Sequence, residues 1–222
     1  MKSSVNQRNN KMFETLAQLP LLRGASLASL NEVCGQMKIL FSKAPAGANI
    51  RNAAEQCNSL IFILSGSVEL FRQETNFSIK QTLCAPQVIA PEYLFGLSTS
   101  FPCSVTAISE VSFMEISKED YRRMLTMDPV FLFNYLNMVS ARAQRARNGL
   151  LAVTAGANAI ERITNWIDTV TYPGASNIAI ACIEREPHQL FGISAAALRS
   201  AAQKLGATFE NKTLIFPSRP RL

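Results

Sequence analysis

The chain has 222 residues, 48% of them hydrophobic and 17% charged, with a formal net charge of +6. That balance fits a globular protein of one or two domains with a sizeable core, and it excludes a disordered chain. No apolar run reaches the roughly 18 residues of a membrane span. The first eleven residues are polar and lack an apolar signal core. The expectation is a flexible tail over 1–11 on a cytoplasmic protein with no membrane partner.

Residues 12–35 carry apolar positions at helical spacing: Phe13, Leu16 and Leu19, then Leu27, Leu30, Val33 and Cys34. Pro20 separates the groups, so two short helices are expected. From Lys38 the period changes to short β-rich runs broken by turn residues: Lys38–Ser42, Asn49–Asn52, Leu60–Leu64, Ser67–Arg72, Ile79–Cys84, Cys103–Ile108 and Val111–Ile116. Many short strands at near-regular spacing argue for a sandwich or barrel. The clearest piece is Ser59–Phe71. An apolar run, a bend at Ser65-Gly66-Ser67 and an alternating run read as two strands joined tightly at Gly66.

Ser117 is placed to cap a short helix, and Asp128-Pro129 opens a long one. Along that helix Leu132, Leu136, Val139, Ala143, Ala146 and Leu150 recur at steps of four, three, four, three and four. This is a heptad seam, and its alanines let a second helix approach closely. A homodimer helix is the favoured reading; packing on the chain's own β-domain is the ordinary alternative. Gly149, Gly156 and Asn158 loosen the pattern and mark the best position for a hinge. Ala159–Val170 is then amphipathic through Ile160, Ile163, Trp166, Ile167 and Val170, and Asn177–Ile183 suits a short strand.

Glu186–Leu205 reads as a helix-turn-helix. Pro187 makes its first helix short, Gly192 is the turn, Ser194 caps the second helix, and Leu198, Ala201, Ala202 and Leu205 form the buried face. A hairpin over Thr208–Phe216 turns at Asn211-Lys212, and the whole is a winged helix. Such a unit lays its second helix in the major groove of DNA. The outward candidates are Ser194, Ala195, Ala196, Arg199, Ser200 and Lys204; Arg185 and Lys212 complete the DNA-binding set. Arg199 and Lys204 suit phosphates, and the serines suit short polar contacts. From Glu184 onward six Lys or Arg stand against three Glu, a net of +3. A purely structural helical pair explains Leu190–Leu205 nearly as well.

The five cysteines are scattered without metal-ligand spacing and read as buried thiols. The only histidine is His188. A metal-dependent β-barrel enzyme needs clustered His and carboxylates. There is no nucleophilic triad, no phosphate-cradling glycine loop and no zinc spacing. No catalytic residue, metal or cofactor is assigned, and the chain is expected not to be an enzyme.

Over about residues 12–216 the sequence resembles the Crp/Fnr family of transcription regulators. The resemblance is carried by the order of elements, Phe41-Ser-Lys through Ala48, the Gly66 turn, Leu94-Phe-Gly96, Cys103-Ser-Val-Thr-Ala107, and Leu205 after the second helix of the pair. It implies an α+β fold: an N-terminal jelly-roll-like β-roll with flanking helices over 12–127, a long dimerisation helix and hinge over 128–156, and a C-terminal winged helix-turn-helix over 157–222. It also implies DNA, a second copy of the chain and an unidentified small-molecule effector as partners.

Cyclic-nucleotide binders of this fold use a Gly-Glu pair on the ribose, and an Arg followed by small residues and Ser or Thr on the cyclic phosphate. Here Glu92 falls near the first position without the Gly, Ser104 and Thr106 lie in the hydroxyl stretch, and Phe101 replaces the Arg. A phenyl ring cannot pair with phosphate. The expected effector is therefore not cyclic AMP, and Phe62, Phe95 and Phe101 are expected to plug the roll. The alternative is a degenerate family member that binds ligand or protein without reading DNA sequence, as the alanine-rich helix and the modest charge suggest.

Overall fold

The computed structural model describes residues 13–154, 158–184 and 186–220. The expected tail at 1–11, Gly156 and Arg185 lie outside them. The chain folds into two compact units. One comprises the described residues up to Ser67, with Cys84–Pro102 and Ala107–Val139; the other comprises Val68–Leu83, Cys103–Thr106 and the described residues from Ser140 onward.

The first unit is built on an antiparallel sheet of β1 (Ile39–Ala44), β8 (Val111–Ser117), β3 (Ser59–Ser65) and β6 (Gln87–Ile89), in that order. In β3 the consecutive Leu60, Ile61, Phe62 and Ile63 are all fully buried. An unbroken apolar run suits a central strand covered on both faces. Its register sets Leu60 opposite Ile116 and Ile61 opposite Ile89. β2 (Asn49–Arg51) is a short strand of three residues. β6 is equally short, and too brief for any periodic signal in the sequence.

Helix α1 (13–18) and α2 (Leu27–Gln36) bury Leu16, Leu30 and Val33. Ser26 caps α2 by accepting from the Ser29 amide. Ser117 caps α3 (Lys118–Met127) by accepting from the Asp120 amide at 3.0 Å. Asp128 Oδ1 accepts from the Val130 amide at 2.9 Å, with Pro129 at the first helical position of α4 (Pro129–Thr154). Asn134 Nδ2 then donates to the carbonyls of Leu21 and Arg23, tying the start of α4 to the end of the N-terminal helical segment.

The tight join expected at Gly66 is present: β3 runs directly into β4 (Ser67–Gln73) there, and because the two strands lie in different sheets the residue makes a corner. Its φ is +86°, and a Cβ there would stand 2.3 Å from the Glu110 carbonyl oxygen. Only glycine meets both demands.

In the second unit the strands run in the order β10 (Thr208–Glu210), β11 (Thr213–Ser218), β9 (Ser176–Cys182), β5 (Phe77–Cys84), β4 and β7 (Ser104–Ala107). β5 joins β9 antiparallel, with Phe77 opposite Cys182 and Ile79 opposite Ile180. β9 in turn pairs with β11, Ile180 opposite Leu214. α5 (Ala159–Val170) buries Ile163 and Ile167 fully. Asn158 and Glu161 form a reciprocal capping box at its start. Trp166 sits edge-on between Phe77 at 5.1 Å and Phe191 at 5.3 Å. The buried Gln81 side chain accepts from the Tyr172 amide at 2.8 Å, so its carbonyl group is satisfied.

Gly149 does not break α4, which continues to Thr154. The residue is instead a contact point: it lies against Asn165 and Thr169 of α5. The helix tolerates the glycine because its missing side chain lets α5 approach.

Candidate functional site

The C-terminal candidate surface begins at Glu186. Its backbone amide donates to Gln189 Oε1 at 3.1 Å, and Pro187 starts the one-turn helix α6 (Pro187–Leu190). Gly192 turns the chain at φ +61°, and its carbonyl accepts from Arg162 Nη1 at 3.2 Å. Ser194 then caps α7 (Ala195–Lys204), its hydroxyl accepting from the Ala197 amide at 3.2 Å.

α7 buries Leu198, Ala201 and Ala202. Ser194, Ala195, Ala196, Arg199, Ser200 and Lys204 are all exposed. Helical spacing sets Ala196, Arg199, Ser200 and Gln203 on one face. Gln203, also exposed, was missed in the sequence set although it lies four residues after Arg199. Its amide is the longest neutral hydrogen-bonding group on that face and has the geometry to pair with adenine.

Among the described cations of the set, Lys212 differs from Arg199 and Lys204: its ammonium lies 2.9 Å from Glu186 Oε1 in an exposed ion pair. Asn211 and Lys212 carry φ of +44° and +63°, the values of a tight hairpin turn joining β10 to β11.

The seam positions on α4 are open in the single chain. Leu132, Leu136 and Leu150 are 39%, 46% and 67% exposed; Ala143 and Ala146 are also exposed, and Val139 is half-buried. Phe133 and Leu151 add 60% and 43% exposure beside them.

The candidate effector residues are divided between the two units. In the first, Glu92 sits in a single 3-10 turn, Pro91–Tyr93. Phe101 is 2% exposed and held by two backbone bonds, to Glu55 and Ala54. Beside it lies a residue the sequence reading passed over: Arg51, whose guanidinium carbon is 6.0 Å from the Phe101 ring centre. Arg51 is in a close ion pair with Glu115, which also accepts from Ser59 Oγ at 2.8 Å. The cation is therefore committed to a carboxylate on the protein itself. Phe62 is fully buried in β3. Phe95 packs against Tyr121 and Tyr135, with the Lys118 ammonium 5.4 Å from its ring centre.

In the second unit Ser104 Oγ donates to the Phe71 carbonyl at 3.4 Å, and Thr106 is half-buried. Burial pushes the neighbouring Cys103 thiol up to about 12, which leaves it protonated and unreactive at neutral pH. Among the described residues no group of three His, Cys, Asp or Glu comes together, and no helix is long and apolar enough to cross a membrane.

Residues 41–128 match the cyclic nucleotide-binding domain family. The solved structures similar to the chain include transcription regulators. The sensor domain of the transcriptional regulator DNR from Pseudomonas aeruginosa aligns with a TM-score of 0.50 at 17% identity, covering 58% of this chain and 91% of that one. At this identity the likeness is one of fold. The catabolite activator protein of Thermus thermophilus aligns at 0.49 and 16% identity, over 89% of this chain and 93% of its own. The c-di-GMP responsive regulator CLP from Xanthomonas campestris gives 0.49 and 15%, over 86% and 99%. No curated protein sequence matches the chain.

Proposed function

We propose that the chain is a DNA-binding transcription regulator of the Crp/Fnr type, acting as a homodimer and not as an enzyme. In this reading 12–127 form the effector-type roll, 128–156 the dimer helix and hinge, and 157–222 a winged helix that carries α7 into the major groove. The observation that carries it is the α7 face. A helix capped at Ser194 follows a glycine turn, buries one side through Leu198, Ala201 and Ala202, and leaves Arg199, Ser200, Gln203 and Lys204 exposed. The exposed leucines of the α4 seam support a second copy as partner, because a monomer would leave that apolar stripe in water.

Cyclic AMP is not the effector in this reading. The Arg position of the resemblance holds the buried Phe101, and the nearby Arg51 is already paired with Glu115. Calorimetry is expected to show no binding of cyclic AMP at micromolar concentration; micromolar or tighter binding would overturn this part.

The test of the main reading is titration of the full chain against its own upstream DNA and a scrambled duplex, at about 50 and 200 mM salt. A preference for the native fragment that persists at the higher salt supports the regulator. Equal binding to both duplexes, vanishing with salt, favours the second reading: a ligand- or protein-binding module that no longer reads sequence. Ala195 and Ala196 at the start of α7, and the Lys212–Glu186 ion pair, favour that alternative.

A further inference from the structure

A cavity of about 810 Å³ opens within the second unit, lined by Arg145, Thr164, Asn165, Asp168, Ser176 and Arg219 among others. This volume lies within the range of small-molecule sites. Two features set it apart from a solvent-filled cleft.

The first is charge. Arg145 and Arg219 face one lining carboxylate, Asp168, which is taken by Arg219: its Nη2 lies 2.5 Å from Asp168 Oδ1 and donates to the Asp168 carbonyl at 2.9 Å. Arg145 makes no ion pair among the described residues. Arg142, 4.5 Å from the Tyr172 ring centre, lies close enough for its charge to oppose that of Arg145 and Arg219. Burial lowers the proton affinity of the Arg219 guanidinium; Asp168 raises it in opposition, and Arg145 lowers it by a smaller effect. Like charges held together and partly dehydrated call for a counter-anion.

The second is a pair of unanswered polar groups in the wall. Thr164 is 4% exposed, and its Oγ1 is buried without a hydrogen-bond partner among the described residues; the same holds for Arg219 Nε. Buried polar groups are normally bonded, and each exception asks for an explanation.

We propose that this cavity is a binding site for the phosphate group of a small metabolite, with Arg145 and Arg219 as its charged anchors and Thr164 as a polar wall group. Phosphate presents several acceptor oxygens and is well matched by guanidinium donors. The site stands apart from the α7 surface and does not depend on the DNA-binding reading. By joining α4, α5 and the end of β11 it would also stiffen the contact between those elements.

The probe is inorganic phosphate, followed with the full chain by thermal unfolding and by 31P line broadening, against sodium chloride at matched ionic strength. Phosphate is expected to raise the unfolding midpoint beyond the salt control. Arg145→Gln, which breaks no ion pair among the described residues, is expected to weaken phosphate binding about tenfold, the loss of one charge-assisted bond. Thr164→Val is expected to weaken it by a smaller factor, and Arg199→Gln, outside the cavity, to leave it unchanged. No effect beyond the salt control would overturn the proposal. So would phosphate binding that Arg145→Gln leaves intact or that Arg199→Gln removes.

Discussion

Gly149 on α4 faces Thr169 on α5 so closely that a Cβ on the glycine would stand 2.1 Å from Thr169 Oγ1 and 3.2 Å from the Asn165 carbonyl oxygen. That hydroxyl donates to the Asn165 carbonyl at 2.8 Å and to the Arg145 carbonyl at 3.3 Å, so it is not free to swing aside without loss. Gly149→Ala is expected to destabilise the chain by about 1–3 kcal/mol through overpacking, despite alanine's better helix propensity. Adding Thr169→Ala removes the closest atom, so the double variant should be less destabilised than the sum of the two singles. Urea unfolding of the four chains measures the coupling.

At the corner between sheets, Gly66→Ala places a side chain in the left-handed region and against the Glu110 carbonyl oxygen. The conformational strain alone costs about 1–3 kcal/mol, and the backbone overlap adds to it. The variant should show a lower urea midpoint than Gly47→Ala. Gly47 also has positive φ, but a Cβ there meets nothing within 4 Å.

Ser29 Oγ donates to Asp128 Oδ2 at 2.5 Å, and the Val130 amide donates to the other carboxylate oxygen. The Ser29 bond, then the amide bond, hold the Asp128 carboxyl below its ordinary value. A carboxyl depressed in the folded state stabilises above its unfolded pKa, and that contribution is lost as pH falls through the folded value. Ser29→Ala should therefore flatten the acid side of the stability profile below about pH 4 and raise the Asp128 pKa by NMR. An unchanged Asp128 titration would show that the hydroxyl does not act on the carboxylate in solution.

If the proposed DNA-binding reading holds, Arg199→Ala and Lys204→Ala each weaken binding on every sequence and lower the salt slope by about one. Gln203→Ala should change the preference among sequences more than the slope, since an amide reads bases and carries no charge. Lys212→Ala should have the smallest effect of the three cationic substitutions, because Glu186 already holds that ammonium. Anisotropy titrations at several salt concentrations separate these outcomes.

Apart from β6, the strands of the roll were legible because apolar runs and turn residues are local signals. Ser117 and Asp128 revealed their helices for the same reason: a cap is chemistry between near neighbours. Ser194 and Pro187 did likewise for the short helical pair. What the sequence hid was pairing at a distance. Nothing in Phe77–Cys84 announces that Ile79 will lie opposite Ile180. Gly149 carried the opposite lesson: alone it suggested loosening, but a glycine beside a helix from elsewhere in the chain is a point of close approach. Arg51 escaped notice because its partner Glu115 is distant in sequence, and the Arg145–Arg219 cavity because its walls come from α4, α5 and the end of β11.

The pairing of β5 with β9 sets a limit on how the chain can be cut. A fragment ending before α5 would keep Phe77–Cys84 but lose the strand that covers its outer edge. A row of unpaired amides and carbonyls beside Ile79 and Leu83 would then face solvent, the kind of edge on which other chains add. The isolated roll is for this reason a poor object for expression, and its solubility would reflect the missing strand before anything about its ligand.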